Sequence, residues 1–540
     1  MEPCTINETI TSNEKNEPVK PENRNPLFVF MSIGSLIYAL FYTFFLYKNS
    51  SGITYPFFVG GTCLFFFLYL RKSGLTAKKS ALFPLISLLL LGLSTCMTDS
   101  WVLIYLNKLG IFLLFFYLVI HCLYEDRYWD FTKYSGSILN IICTSLVFIF
   151  RPFTDLALFV KIKRKEENKP EGKGKYVFYG LLLAIPLLFV ILLLLYEADA
   201  VFSAILDKIF YFDLDLQLFT VFQILFLFLF AFVASYSIMC RLSLHNLNEK
   251  IPDKKKWEPV MGITFTSLLS LVYLIFCYIQ IVYLFGGLGT LPENYTYASY
   301  AREGFFQLVA VCLINLILVS GCTKYFQNNK ILKGILTFIS ICTYIMIISS
   351  TYRMVLYIQV YYLTFLRVFV LWALAVIFFL MTGALIMIYH EKFPYTRYCM
   401  VTVTTLYLLL SFAHPDYWIA RYNLGMEEDI DYYYLKRLSL DAAPAIFDYS
   451  DKSGFNEDSR FVEYSSKMLK KSYDFQVDEL DEIWQEEGNC LPKKQSLRTL
   501  NFSRLNAYQH YKEYYRSNPD FAADIEYNIM CYTGNHLGRP

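Results

Sequence analysis

The sequence predicts an all-α fold: a polytopic transmembrane helical bundle of about eleven spans, with a C-terminal extramembrane helical region. Three observations carry this. Of the 540 residues, 56% are hydrophobic and 19% aromatic. Charged residues make up 17%, well below the ~25% of a soluble protein. Several apolar runs reach the ~18–20 residues that a bilayer-crossing helix needs. A soluble domain has no interior large enough to hide that much apolar surface.

Taken in order, residues 1–25 are polar and lack the apolar core of a signal peptide, so they read as a cytoplasmic N-terminus with no cleaved signal. Residues 26–124 hold four spans: Pro26–Tyr47, Ile53–Leu70, Ala81–Met97 and Trp101–Leu123. Residues 125–175 hold an apolar stretch, Ser135–Val160, broken by Asn140, Arg151, Pro152 and Asp155. Both its flanks read as cytoplasmic, which fits an interfacial or re-entrant helix; a full crossing would move the C-terminus to the inside. A basic loop, Lys161–Lys175, follows.

Residues 176–413 form a seven-span core. Tyr176–Tyr196 is kinked by Pro186. Leu214–Cys240, Pro259–Phe285 and Gly304–Cys322 come next, then Ile331–Ser350, Thr364–Tyr389 and Tyr398–Ala413. Residues 414–540 are polar and tyrosine-rich. Asp431–Ile446 and the helically spaced Ser459–Glu487 predict a small helical domain on the membrane surface.

Basic residues set the orientation. Arg71–Lys79 holds four, Lys161–Lys175 seven and Arg241–Lys256 five, while Thr98–Ser100 holds none. The alternation predicts a cytoplasmic N-terminus and an extracytoplasmic C-terminus. Cys490 and Cys531 would then lie in an oxidising compartment, as a disulfide or as two free thiols. The remaining cysteines read as small buried hydrophobes. No histidine spacing supports a metal site, and nothing calls for a cofactor or a nucleic-acid partner.

The stretch Thr351–His390 stands out, being nearly all apolar yet carrying Arg353 and Arg367. A guanidinium stays charged and costs roughly 2.5–3.5 kcal/mol at the centre of a membrane helix. Thr351–Leu363 reads as a short amphipathic lead at the outer interface, which gives Arg353 an ordinary cost. Arg367, one turn into the next span, needs a partner, and Asp199 and Glu303 are the candidates. Under the charge rule Asp199, Arg302, Glu303, Arg353, Arg367, Asp416 and Arg421 share the outer face. They form either structural ion pairs or a pocket in which arginines hold an anionic group, such as a lipid phosphate, a lipid-linked sugar or a carboxylate. Asp213-Leu-Asp215 is a weak D-x-D. His414-Pro415-Asp416 matches a co-chaperone tripeptide without the helical hairpin that would give it meaning.

At these residues the chain resembles a bacterial family of multi-pass membrane proteins known only as a domain of unknown function. The blocks are Ile185–Leu188 with Ala198–Phe202, Tyr300–Phe305, Arg353–Tyr357 with Leu363–Arg367, and Ile419–Asn423. Tyr434-Leu435, Leu438–Pro444 and Asn501–Arg504 extend the similarity through the tail, over roughly residues 180–510. The resemblance implies that the charged blocks belong to one recurring constellation and brings no activity with it. The functional expectation is an envelope sensor or assembly component in the bacterial inner membrane. Its partners would be membrane lipids, and it would bind an anionic, headgroup-like ligand in an outer-face pocket. A transporter or flippase, or an outer-face enzyme on a lipid-linked substrate, are the alternatives.

Overall fold

In hydrocarbon a chain must satisfy every backbone N–H and C=O internally, so apolar runs become helices. A computed structural model describes residues 28–127, 129–166, 180, 184, 191, 195, 218–244, 257–285, 305–426, 430–453, 464–465 and 498–517. No β-strand occurs among them. The helices of the apolar part of the chain are α1 (Phe28–Leu46), α2 (Thr54–Lys72), α3 (Leu82–Met97), α4 (Trp101–Leu123), α5 (Phe131–Val147), α6 (Arg151–Glu166) and α7 (Leu218–Ser243). They continue with α8 (Pro259–Ile279), α9 (Phe305–Tyr325), α10 (Lys330–Tyr361), α11 (Phe365–Tyr389) and α12 (Tyr395–Phe412). Eight helices among the described residues are long and apolar enough to cross a membrane, or up to ten if each of two bent pairs is one span. The chain is an integral membrane protein. Its fifth expected span, with Pro186, lies outside the described residues but for isolated helical positions.

The residues divide into two compact units, one of 1–40 and 142–244, the other of 41–141 and 245–540. The chain bends by 52° at the break between α5 and α6, where Arg151 and Pro152 interrupt the apolar run. Asp155, buried here, takes an ion pair from Arg151 at 3.0 Å and a hydrogen bond from the Tyr236 hydroxyl at 2.9 Å. Arg241 Nε donates to Thr144 Oγ1 at 2.5 Å.

In the second unit, lipid-facing helices gain nothing from apolar contact alone, because lipid tails are as apolar as leucine. Buried polar side chains therefore mark where helices lock. Asn107 of α4 accepts from Ser411 (2.8 Å) and Tyr407 (2.6 Å) of α12, and donates to Ser94 of α3 (3.3 Å). Asn315 of α9 accepts from Tyr273 of α8 (2.7 Å) and donates to Thr343 of α10 (2.9 Å). At one end, His121 lies between Ser80 (2.7 Å) and Asp126 (2.6 Å), and Asp126 also accepts from Tyr134. Lys324 pairs with Asp130 at 2.7 Å at the same end.

The expected break at Thr351 is absent. α10 runs unbroken for 32 residues, Lys330–Tyr361, and Arg353 is buried within it at 6% exposure. One partner is Gln280, the first residue of a π-helical turn, Gln280–Phe285, that continues α8. The Gln280 Oε1 accepts from Arg353 Nη2 at 3.1 Å and from Ser349 Oγ at 2.7 Å. Arg353 is thus buried in the contact between α8 and α10.

Beyond α12 the chain turns by 53° into α13 (Pro415–Leu424). Then come α14 (Tyr432–Leu435), a 3₁₀ turn at Leu440–Ala442, α15 (Ala443–Ser453) and α16 (Phe502–Ser517). They share a small apolar core that includes Ile419, Leu435, Phe447 and Tyr511. Removing the Asn107 side chain takes away three interhelical partners, and each such bond in a membrane is worth about 0.6 kcal/mol on average. Asn107→Leu is therefore expected to lower the stability of the detergent-solubilised protein by about 1–2 kcal/mol, read by denaturant titration.

Candidate ligand-binding site at the seam of tail and bundle

The tail holds three short turns at one end of the second unit. The α1–α2 turn is the first. The Asn501 carboxamide donates to Ser51 O at 3.0 Å, and the Ile53 amide donates to Leu500 O at 2.6 Å. Asn49 Nδ2 donates to Arg498 O at 3.1 Å. Only glycine fits at position 52, because a Cβ there would strike the Arg498 carbonyl oxygen and stand 2.9 Å from Thr499 Cα.

The α3–α4 turn, Thr98–Ser100, is the second. Asp441 reaches it from the 3₁₀ turn and accepts from Thr98 Oγ1 at 2.5 Å and from the Asp99 amide at 2.8 Å. It also takes the Ser503 hydroxyl of α16 and lies 3.4 Å from His414 Nδ1. Burial alone pushes the Asp441 carboxyl up, but the bonds from His414, Ser503, Thr98 and the Asp99 amide outweigh it and hold the group below its ordinary range. The bond to Asp441 in turn raises the His414 imidazole. Asp99 accepts from Arg504 Nε at 2.9 Å. Asp416, in the first turn of α13, accepts the Ser439 hydroxyl at 2.5 Å. A carboxylate in that position also meets the positive end of the helix.

The α10–α11 turn is the third. Tyr362 takes a left-handed φ of 63°. Asn423 of α13 clasps Leu363 in both directions, donating to its carbonyl at 2.9 Å and accepting from its amide at 2.8 Å. The Phe365 amide donates to the Tyr434 hydroxyl at 2.8 Å. Arg367 donates to the carbonyls of Tyr361 and Tyr362 and lies 4.4 Å over the Tyr357 ring. It therefore satisfies the last carbonyls of α10, groups a helix end leaves without internal partners.

Between the α1–α2 turn, α4 and the tail lies a pocket of about 490 Å³. Lys48, Lys108 and Arg504 line it with Asn49, Ser51 and Tyr55, and no carboxylate lines it. Lys108 stands 5.7 Å from the Tyr55 ring centroid. Lys48, Lys108 and Arg504, the last already paired with Asp99, give the cavity a chemistry suited to an anion, since guanidinium and ammonium groups donate charge-assisted hydrogen bonds to phosphate and carboxylate oxygens.

Four of the seven expected site residues, Arg353, Arg367, Asp416 and Arg421, lie among the described residues. Asp199, Arg302 and Glu303 lie outside the described residues, as do Asp213, Asp215, Cys490 and Cys531. Arg353 is in the α8–α10 contact and Arg367 at the α10–α11 turn. Asp416 lies beside Ser439 in the cluster with Asp441. Arg421 is exposed, donating to Tyr417 Oη at 3.1 Å and lying 5.8 Å from the Trp418 ring. None of these four lines the cationic pocket. Asp99, Asp441, Arg504, Lys48 and Lys108 were not singled out. The blocks Leu438–Pro444 and Asn501–Arg504 pointed to Asp441 and Arg504. Lys108, a charge within an apolar run, is the same kind of signal as Arg367.

Asp441→Ala leaves several buried donors without an acceptor, at ~1–3 kcal/mol each. The tail is then expected to become protease-sensitive while the membrane helices stay intact. Because the folded state lowers the Asp441 pKa, its stabilisation is fully present above the ordinary carboxylate value of about 3.9 and is lost as pH falls through the folded value. Proteolysis of the tail by an acid-active protease should therefore rise at acid pH in the wild type, and Asp441→Asn should weaken this dependence.

No curated protein and no solved structure matches the chain. One family does, over residues 85–449. That match reaches further toward the N-terminus than the resembling blocks, takes in Asp99, Lys108, Asp416 and Asp441, and stops before Asn501. Spanning more than half of the chain, it shows that this protein belongs to the family described as Domain of unknown function (DUF4153).

Proposed function

We propose that this membrane protein binds an anionic, headgroup-like ligand at the seam of tail and bundle and reports its occupancy through the tail, as a sensor or assembly component of the cell envelope. One observation carries the reading: the pocket's walls come from both parts. Lys48 and Lys108 belong to the helical bundle, Thr499 and Arg504 to the tail. A ligand held by both walls binds the docked tail better than the undocked one. Its binding free energy is therefore also docking free energy. The charge rule assigns this end to the extracytoplasmic side, because the short turns that the tail grips are poor in basic residues.

The pocket shares no lining residue with the larger cavity of the protein. That separation favours a binding role over a continuous path for a substrate.

The test uses the full chain in a neutral detergent with dioctanoyl phosphatidic acid as the probe. Specific binding stabilises the folded state by about 2.7 kcal/mol at a hundredfold excess over Kd. The wild type should show a rise in Tm and protection of the tail from protease, both weakened by salt. Lys48→Gln/Lys108→Gln should lose both effects, whereas Arg421→Gln, outside the pocket, should keep them. Equal shifts in all three proteins would sink the proposal.

A further inference from the structure

At the end opposite the tail, a cavity of about 1070 Å³ opens among α4, α9, α10, α11 and α12. Its chemistry changes along its length. The mouth carries Arg127, Lys324 and Lys333, with Asp130 and Glu391. Trp129, Tyr325 and Tyr395 also lie there, and tryptophan and tyrosine favour the headgroup level. The shaft is lined by apolar side chains such as Leu109, Leu113, Ile317 and Val403. Trp372 and Tyr407 lie at its deep end, and the helices already use their polar atoms. The Trp372 indole donates to Leu406 O at 3.0 Å and the Tyr407 hydroxyl to Asn107 at 2.6 Å. The deep end therefore asks for an apolar occupant and the mouth for a charged one.

Length sharpens the match. The lined stretch of α11, Trp372 to Ile388, spans about 24 Å at ~1.5 Å per residue. One leaflet with its headgroup layer is about 20–22 Å thick. The cavity lies between membrane helices, so its length runs along the direction in which a lipid stands.

We infer that this cavity is a specific phospholipid site, with an acyl chain in the shaft and the phosphate beside Arg127, Lys324 and Lys333 at the mouth. It is distinct from the cationic pocket at the tail end, and it holds whether or not that pocket binds an anion. Small residues of α9 make the room: Gly321 lines the cavity, and a Cβ there would meet nothing within 4 Å. Gly334 of α10 is equally open but does not line it.

That pair supplies the test. The full chain, extracted in mild detergent and washed, is weighed by native mass spectrometry. Wild type and Gly334→Phe should each retain a stoichiometric phospholipid, and Gly321→Phe should lose it. Equal retention by all three, or retention of detergent only, overturns the inference. Should Gly321→Phe fail to accumulate, the wild type is photolabelled with phosphatidylcholine bearing a diazirine at the end of one chain. Labels should concentrate on Leu106–Leu114 and Val403–Tyr407. Labelling of the exposed Leu268 and Leu271 of α8 to the same extent overturns it.

Discussion

A single buried carboxylate, Asp441, joins segments that lie far apart in the chain. Its oxygens accept from Thr98 and Asp99 in a turn of the bundle, and from Ser503 in the last described helix. Removing an ionised carboxylate from water is costly unless hydrogen bonds replace the lost hydration. Here the replacements come from both sides of the seam, so neither side alone solvates the group fully. Tail docking and the ionised state of Asp441 are therefore coupled. Arg504, which carries a second carboxylate bond to Asp99, extends the same coupling to the wall of the cationic pocket.

The helices were largely legible in the sequence because bilayer thickness imposes a length on every apolar run. Trp101–Leu123 and the C-terminal limit of α11 at Tyr389 fall where the apolar runs placed them. α10 was not, and the reason is instructive. Thr351, Tyr352 and Arg353 read as an interface when only hydropathy is counted. Arg353 is instead buried beside Gln280, 73 residues away in a π-helical turn. A charge looks out of place in a sequence until its partner is known, and partners across helices carry no spacing rule.

The site was legible only in part for a related reason. Arginines inside spans stand out in a sequence because their desolvation cost is conspicuous. Arg353 donates to a side-chain amide and Arg367 to backbone carbonyls. The cationic pocket instead uses Lys48 beside a tight turn, Lys108 within α4, and Arg504 from the tail. Asp416 accepts from a serine of the tail, Ser439. His414, set aside as part of an accidental tripeptide, faces the buried Asp441.

The length of α10 has a mechanical consequence. Thirty-two residues make a rod of about 48 Å at ~1.5 Å per residue. That exceeds the ~40–45 Å of a bilayer with its headgroups. A helix of that length outruns the ~30 Å hydrocarbon core, and Asn423 and Tyr434 grip the turn at its far end. A rod of that length turns rotation at its base into displacement at its tip. A tilt change of about 10°, well inside the range membrane helices adopt, moves the tip by about 8 Å. The position of the tail residues clasped to that turn is thus tied, through a stiff lever, to the angle at which α10 stands in its bilayer.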